Sequence, residues 1–187
     1  MGNQRVVGRF FFELRGEIDT EWLFTDGSYV RAHQHASGAR AGEDRAIGKS
    51  RGGSTTKIHI AADAHGNPIN FEITGGEVHD AKVADKIIDN VGHATHFIAD
   101  KGYDSDAVRS KARDAGMNPI NPRKSNSKKT NPEFDTHLYK LGHLVENLFA
   151  RLKHFRSIAA RFEKLARNYK SMVFLAVSYT HLRAHET

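Results

Sequence analysis

Cysteine is absent from the 187 residues, proline occurs 4 times and tryptophan once. No apolar run approaches the roughly 18 to 20 residues that a membrane-spanning helix needs. The missing cysteine removes disulfides and thiolate metal ligands and suits a reducing cytoplasm. The opening MGNQRVVGRFFFELRGE lacks the small-residue cleavage site of a secretory signal. The expectation is a soluble, cytoplasmic protein with no membrane partner, long enough to fold as one domain around its own core. Positive charge is in excess, since 28 Lys and Arg against 22 Asp and Glu leave +6. That balance suits a polyanionic partner without demanding one, because many basic proteins never touch nucleic acid.

Along the chain, Phe10 to Phe12 lie among charged residues and read as the end of a helix whose other packing partners are missing. Glu21 to His33 is strand-like, with Trp22, Leu23 and Phe24 leading into Thr25-Asp26-Gly27-Ser28. Gln34 to Ser54 is polar and glycine-rich, a basic loop carrying Arg40, Arg45, Lys49 and Arg51. Ile58, Ile60 and Ala62, then Ile69, Phe71 and Ile73, alternate on either side of His65-Gly66-Asn67-Pro68, which predicts a β-hairpin. The period then becomes helical: Val83, Ala84, Ile87, Ile88 and Val91 follow Asp80 as N-cap, and Gly92 ends the run. Thr95 to Ala99 is a short strand ending at Asp100. A helix capped by Asp104 or Ser105 runs to Ala115, and Asn118 to Pro122 is another strand. Beyond the basic loop Arg123 to Thr130, a helix is expected from Phe134 or Asp135 to Phe155, and a further one from Ile158 to Ala176. This order predicts an α/β fold with helices packed on a sheet.

Asp26 and Asp100 each follow an apolar strand segment, where a carboxylate needs a partner to offset its desolvation. A divalent cation is one such partner; capping of the next turn is the other use of an aspartate in this place. Glu146 stands within Leu144-Val145-Glu146-Asn147-Leu148, inside the expected long helix. Tyr139 and Lys153 stand seven residues to either side, and seven steps of about 100° return to within about 20° of one face. Phosphodiester transfer gives a reason for three such carboxylates, because two Mg²⁺ ions held by hard oxygen ligands neutralise the attacking and leaving oxygens. Lys153 would then meet a DNA phosphate, and Tyr139 would position the backbone or a water. The histidines, among them His33, His35, His59, His65 and His79, match no zinc spacing.

The stretches TDGSYVRAH, IGKSRGGSTTKIHIAAD, GNPINFEITGGEVHDAK, FIADKGYDSD and HLYKLGHLVENLFARLKHFRSIAARFEKLARNYKSM closely resemble the DDE transposases of the insertion-sequence-five family, within the insertion-sequence-four group. The resemblance implies an RNase H-like mixed sheet flanked by helices, with Asp26, Asp100 and Glu146 as catalytic and metal-binding residues. It implies Mg²⁺ or Mn²⁺ as cofactor, two ions, and double-stranded DNA at element ends and target as substrate, handled by a homodimer. Arg31 and Lys101, within the first and fourth stretches, join Tyr139 and Lys153 as expected DNA-binding residues. The family signature of Tyr, two residues, Arg, three residues, Glu, six residues, Lys is met by Tyr139, Glu146 and Lys153, but Gly142 stands at the arginine. An inactive, truncated remnant that binds DNA without cutting is therefore the alternative. The expected division is an upstream helical remnant over 1–20, the catalytic domain over 21–177 and a non-native tail over 178–187.

Overall fold

The computed structural model describes residues 2–14, 18–38, 43–132 and 134–185. Helix α1 (Gly2–Leu14) precedes β1 (Trp22–Ala32), the short β2 (Gly48–Ser50) and the hairpin β3 (Gly53–Ala62) and β4 (Pro68–Gly75). Then come α2 (Ala81–Val91), β5 (His96–Ala99), α3 (Asp106–Asp114) and β6 (Asn118–Ile120). The chain continues through α4 (Thr136–Lys140), α5 (His143–Lys153), α6 (Arg156–Ala159), β7 (Ala160–Arg161) and α7 (Ala166–His185).

The strands form a mixed sheet in the order β2-β3-β1-β5-β6, with β4 paired to β3 and β7 to β1. Strand β1 is its hub: it runs antiparallel to β3, from Phe24 opposite Ala62 to Arg31 opposite Thr55, and parallel to β5. The crossovers through α2 and α3 allow β5 and β6 to run parallel to it, since parallel neighbours cannot be joined by a tight turn. The period of two along each strand divides the apolar side chains between two cores. Phe24, Ile58, Ile60 and Phe71 meet Leu148 and Leu152 of α5 and Tyr169 and Val173 of α7. Leu23, Ala61, Phe97 and Ala99 meet Ile87 and Ile88 of α2 and Val108 and Ala112 of α3. The result is the expected α/β architecture, a mixed sheet flanked by helices. No helix among the described residues is long and apolar enough to cross a membrane.

Several local expectations are corrected. The strand expected over Glu21 to His33 is β1, but Asp26 lies inside it and not at its end, because the far half of β1 still pairs with β3 and β7. A register shift at Ala61/Ala62 moves Ile69 into the core on the α2 side, away from Phe71. Asp80 has helical backbone angles and caps nothing, while Gly92 closes α2 at φ 83 as expected. The long helix before Phe155 is broken: Asp135 caps α4 by accepting from the backbone N–H groups of His137 and Leu138, and a turn at Leu141-Gly142 separates α4 from α5. The further helix is interrupted by β7, where Arg161 turns inward. Its guanidinium donates to the Ala46 carbonyl at 3.1 Å, to Thr56 Oγ1 at 2.6 Å and to the Glu163 carbonyl at 3.0 Å. Helix α7 then runs past Val177, with Thr180 and His181 buried. Arg40 of the basic loop lies outside the described residues.

Candidate active site

Thr25 and Ala99 form the last parallel rung between β1 and β5; Asp26 is the next residue of β1, and Asp100 the residue just past the end of β5. Sheet pairing therefore sets the two carboxylates side by side. Each is anchored through one oxygen: Asp26 Oδ1 accepts from the Gly27 N–H at 2.7 Å, and Asp100 Oδ1 from the Gly102 N–H at 2.7 Å. They open into a cleft of about 430 Å³ that is also lined by Phe24 and Ile98 of the sheet. Tyr139, Lys140, Gly142, His143, Val145 and Glu146 of α4, α5 and the turn between them supply the rest of its lining. The helix break thus brings both Tyr139 and Glu146 to the cleft, although the continuous stripe expected of them does not exist.

Burial is the main reason that Asp26 is pushed up to about 6, with the Gly27 bond opposing it and the fields of Asp100 and Asp80 adding to it. Asp100 is likewise raised by burial, against the Gly102 bond and with the field of Asp80. Tyr139 is raised by burial and by the fields of Asp100, Glu146 and Asp26, which agrees with their common cleft. Two partly buried carboxylates that repel each other offer hard oxygen donors in a place where a divalent cation would relieve both desolvation and repulsion. The pair fits such an ion. Among the described residues no three acidic or histidine side chains lie close enough to hold a metal as a closed set. The aspartate pair and, from α5, Glu146 line the same cleft.

The other expected residues distribute unevenly. Lys153, the last residue of α5, donates from Nζ to Ser28 Oγ at 2.6 Å, two residues beyond Asp26 on the same face of β1. Lys101 is exposed in the turn that follows Asp100. Arg31 is exposed near the far end of β1, and its odd position puts it on the opposite face from Asp26. Neither Lys101 nor Arg31 lines the cleft.

Sequence reasoning overlooked the groups behind the aspartates. Asp80 is bound by Lys57, whose Nζ lies 2.6 Å from Oδ2, and its Oδ1 is 3.2 Å from His59 Nδ1. His59 Nε2 in turn meets Thr74 Oγ1 at 2.9 Å. Burial would raise Asp80, but the bonds from His59 and Lys57 outweigh it and hold the carboxyl below its usual range. The available signal was Lys57 and His59 themselves, polar at alternate positions on a strand whose other face carries Ile58 and Ile60.

Comparison with known proteins identifies the family. A profile of the family described as "Transposase DDE domain" matches residues 19–180. The chain is 34% identical over 133 residues to the transposase assigned to insertion sequence element IS6501 of Brucella ovis, covering 69% of this chain and 99% of that protein. It is 34% identical over 129 residues to the transposase assigned to insertion sequence element IS402 of Burkholderia cepacia, covering 63% of this chain and 57% of that one. Among solved structures, the piggyBac transposase in a synaptic complex with hairpin DNA superposes with a TM-score of 0.60 at 9% identity, over 97% of this chain and 51% of that chain, a likeness of fold. The chain thus spans little more than half the length of the second relative and of this structural neighbour.

Proposed function

Because this chain belongs to the DDE transposase family and has an RNase H-like fold, we propose that it cleaves DNA strands and transfers them during transposition of an insertion sequence. The observation that carries the proposal is the placement of Asp26 and Asp100 one step beyond the last rung between β1 and β5, in the cleft that Glu146 also lines. The family implies dependence on a divalent metal. We assign Mg²⁺ or Mn²⁺, as two ions, to Asp26, Asp100 and Glu146. Such ions, when bound, lower the barrier by neutralising charge on the attacking and leaving phosphodiester oxygens.

The chain's own groups supply positioning. Gly27 and Gly102 each fix one oxygen of Asp26 and Asp100, so the remaining oxygen of each carboxylate is held toward the cleft without rotamer search. Tyr139, with its phenol kept protonated, is a donor for a phosphate oxygen or a water beside Glu146. Lys153 and Lys101 meet backbone phosphates on either side of the aspartates, and Arg31 meets them farther along the duplex. The partner is double-stranded DNA, both element end and target, engaged by a homodimer in the cytoplasm. We keep residues 21–177 as the catalytic domain, and the insertion-sequence-five family as the subgroup.

Asp26→Asn, Asp100→Asn and Glu146→Gln should each abolish metal-dependent cleavage of a labelled duplex carrying the element's terminal repeat, with a cooperative melting transition preserved. Cleavage retained by any one of them removes that residue from the site. Gly142, lining the cleft where the family signature has arginine, favours a second reading, a chain that binds DNA without cutting it. Cleavage by the unmodified chain eliminates that reading.

A further inference from the structure

Asp80 precedes α2, yet its side chain caps no backbone group. Its carboxylate is instead gripped by Lys57 and faces His59, side chains that are 4% and 0% exposed. Interior charged groups of this kind are costly unless paired, and an apolar set of similar volume would hold β3 to the start of α2 equally well. The surroundings show what lies against the pair. A Cβ at Gly27 would come within 2.6 Å of Asp80 Oδ1 and 2.6 Å of Lys57 Cε. A Cβ at Gly102 would lie 2.8 Å from Asp80 Oδ2 and 2.8 Å from Asp100 Oδ1. These are the glycines whose N–H groups anchor Asp26 and Asp100. The absence of side chains there lets Asp80 abut the backbone of both from beneath. Beside them the hydroxyl of Tyr103, a residue 0% exposed, has no hydrogen-bond partner among the described residues. Its pKa is raised by burial and by the fields of Asp80, Asp26 and Asp100, so it faces the same acidic centre.

We propose that Asp80 is a positioning residue of the metal site, a fixed anion held by Lys57 and facing His59 that acts through the Gly27 strand segment and the Gly102 turn to strengthen cation binding by Asp26 and Asp100. The inference rests on the reading of those two aspartates as metal ligands. A purely structural Lys57–Asp80 pair makes a different prediction. If the pair only holds β3 to α2, removal of either partner loosens the site and weakens the metal. If Asp80 acts by its charge, the two removals have opposite signs, because Lys57 is the cation that offsets it.

The test is direct Mn²⁺ binding to the 187-residue chain in the absence of DNA, by electron paramagnetic resonance of free Mn²⁺, with a melting curve for every variant. Asp80→Asn should weaken binding roughly tenfold, and Lys57→Gln should tighten it several-fold. Asp80→Glu, which keeps the charge, should stay within about threefold of the parent. Should Asp80→Asn fail to fold, Lys57→Gln and Asp80→Glu decide by the same criteria. Unchanged affinity in Asp80→Asn, or weaker binding in Lys57→Gln, overturns the proposal. Asp26→Asn separates the two levels: if it also binds Mn²⁺ like the parent, the metal-site reading itself has failed.

Discussion

Ionised Asp26 opposes folding. Its carboxyl titrates at about 6 in the native chain against 3.8 for an unperturbed aspartate, so the folded state holds the proton more tightly than the unfolded state does. On this account stability is fully present below about pH 4, falls as pH rises through the raised pKa, and stays lower at neutral pH. The difference of about two units corresponds to at most about 3 kcal/mol. Asp26→Asn, which mimics the protonated form, should therefore raise the melting temperature in EDTA by several degrees at pH 7.5 and leave it nearly unchanged at pH 4. Differential scanning fluorimetry across that range checks this, and a variant less stable than the parent at both ends would show that Asp26 is held for structure. The two aspartates were legible in the sequence because each follows an apolar run that has no use for a carboxylate. Asp80 was not, because a residue ahead of a helix already has a satisfying role as a cap, and only the sheet register reveals Lys57 and His59 behind it.

At the level of elements, hydrophobic period identified the hairpin, α2, β5, α3 and β6, since each buries one face against the sheet and pays little attention to anything nonlocal. It failed where a single residue answers to distant partners. Arg161 breaks an otherwise helical run because its guanidinium holds Ala46 and Thr56, more than a hundred positions away. Gly142 ends the first half of a pattern whose apolar spacing continues unchanged into α5, so the period alone could not show the turn. That turn alters what the glycine means. Gly142 has φ −55 and ψ −17, angles open to any residue, and it stands in the turn between α4 and α5 and not in the middle of a helix. A Cβ there would sit 3.1 Å from the Tyr139 carbonyl, a contact relieved by a small shift of the turn. Gly142→Arg should accordingly change stability by no more than about 1 kcal/mol in urea denaturation. It should raise terminal-repeat cleavage at least tenfold, since the new guanidinium starts from the wall of the cleft. Normal stability without any gain in cleavage would mean that the arginine's work is done elsewhere in this chain.

On the scale of the whole molecule, the charge distribution poses a problem for a DNA substrate. The chain carries +6 overall, but the cleft concentrates Asp26, Asp100 and Glu146, with Asp80 behind them. Without divalent ions this centre repels a phosphate backbone, so affinity for duplex must come from cations around it. Lys153 is the best placed of these, because Ser28 already tethers it beside Asp26 and little ordering is lost when a phosphate oxygen replaces the serine hydroxyl. Each phosphate neutralised by such a lysine releases about 0.9 of a condensed counterion, so the plot of log affinity against log salt steepens by about that much per contact. Lys153→Gln should weaken binding to terminal-repeat and unrelated duplexes alike, and should flatten the salt slope by about 1, measured by fluorescence anisotropy in EDTA. Base readout would instead appear as loss of preference for the terminal repeat. A slope unchanged by the substitution would leave Lys153 as a tether between α5 and β1 and remove it from the duplex interface.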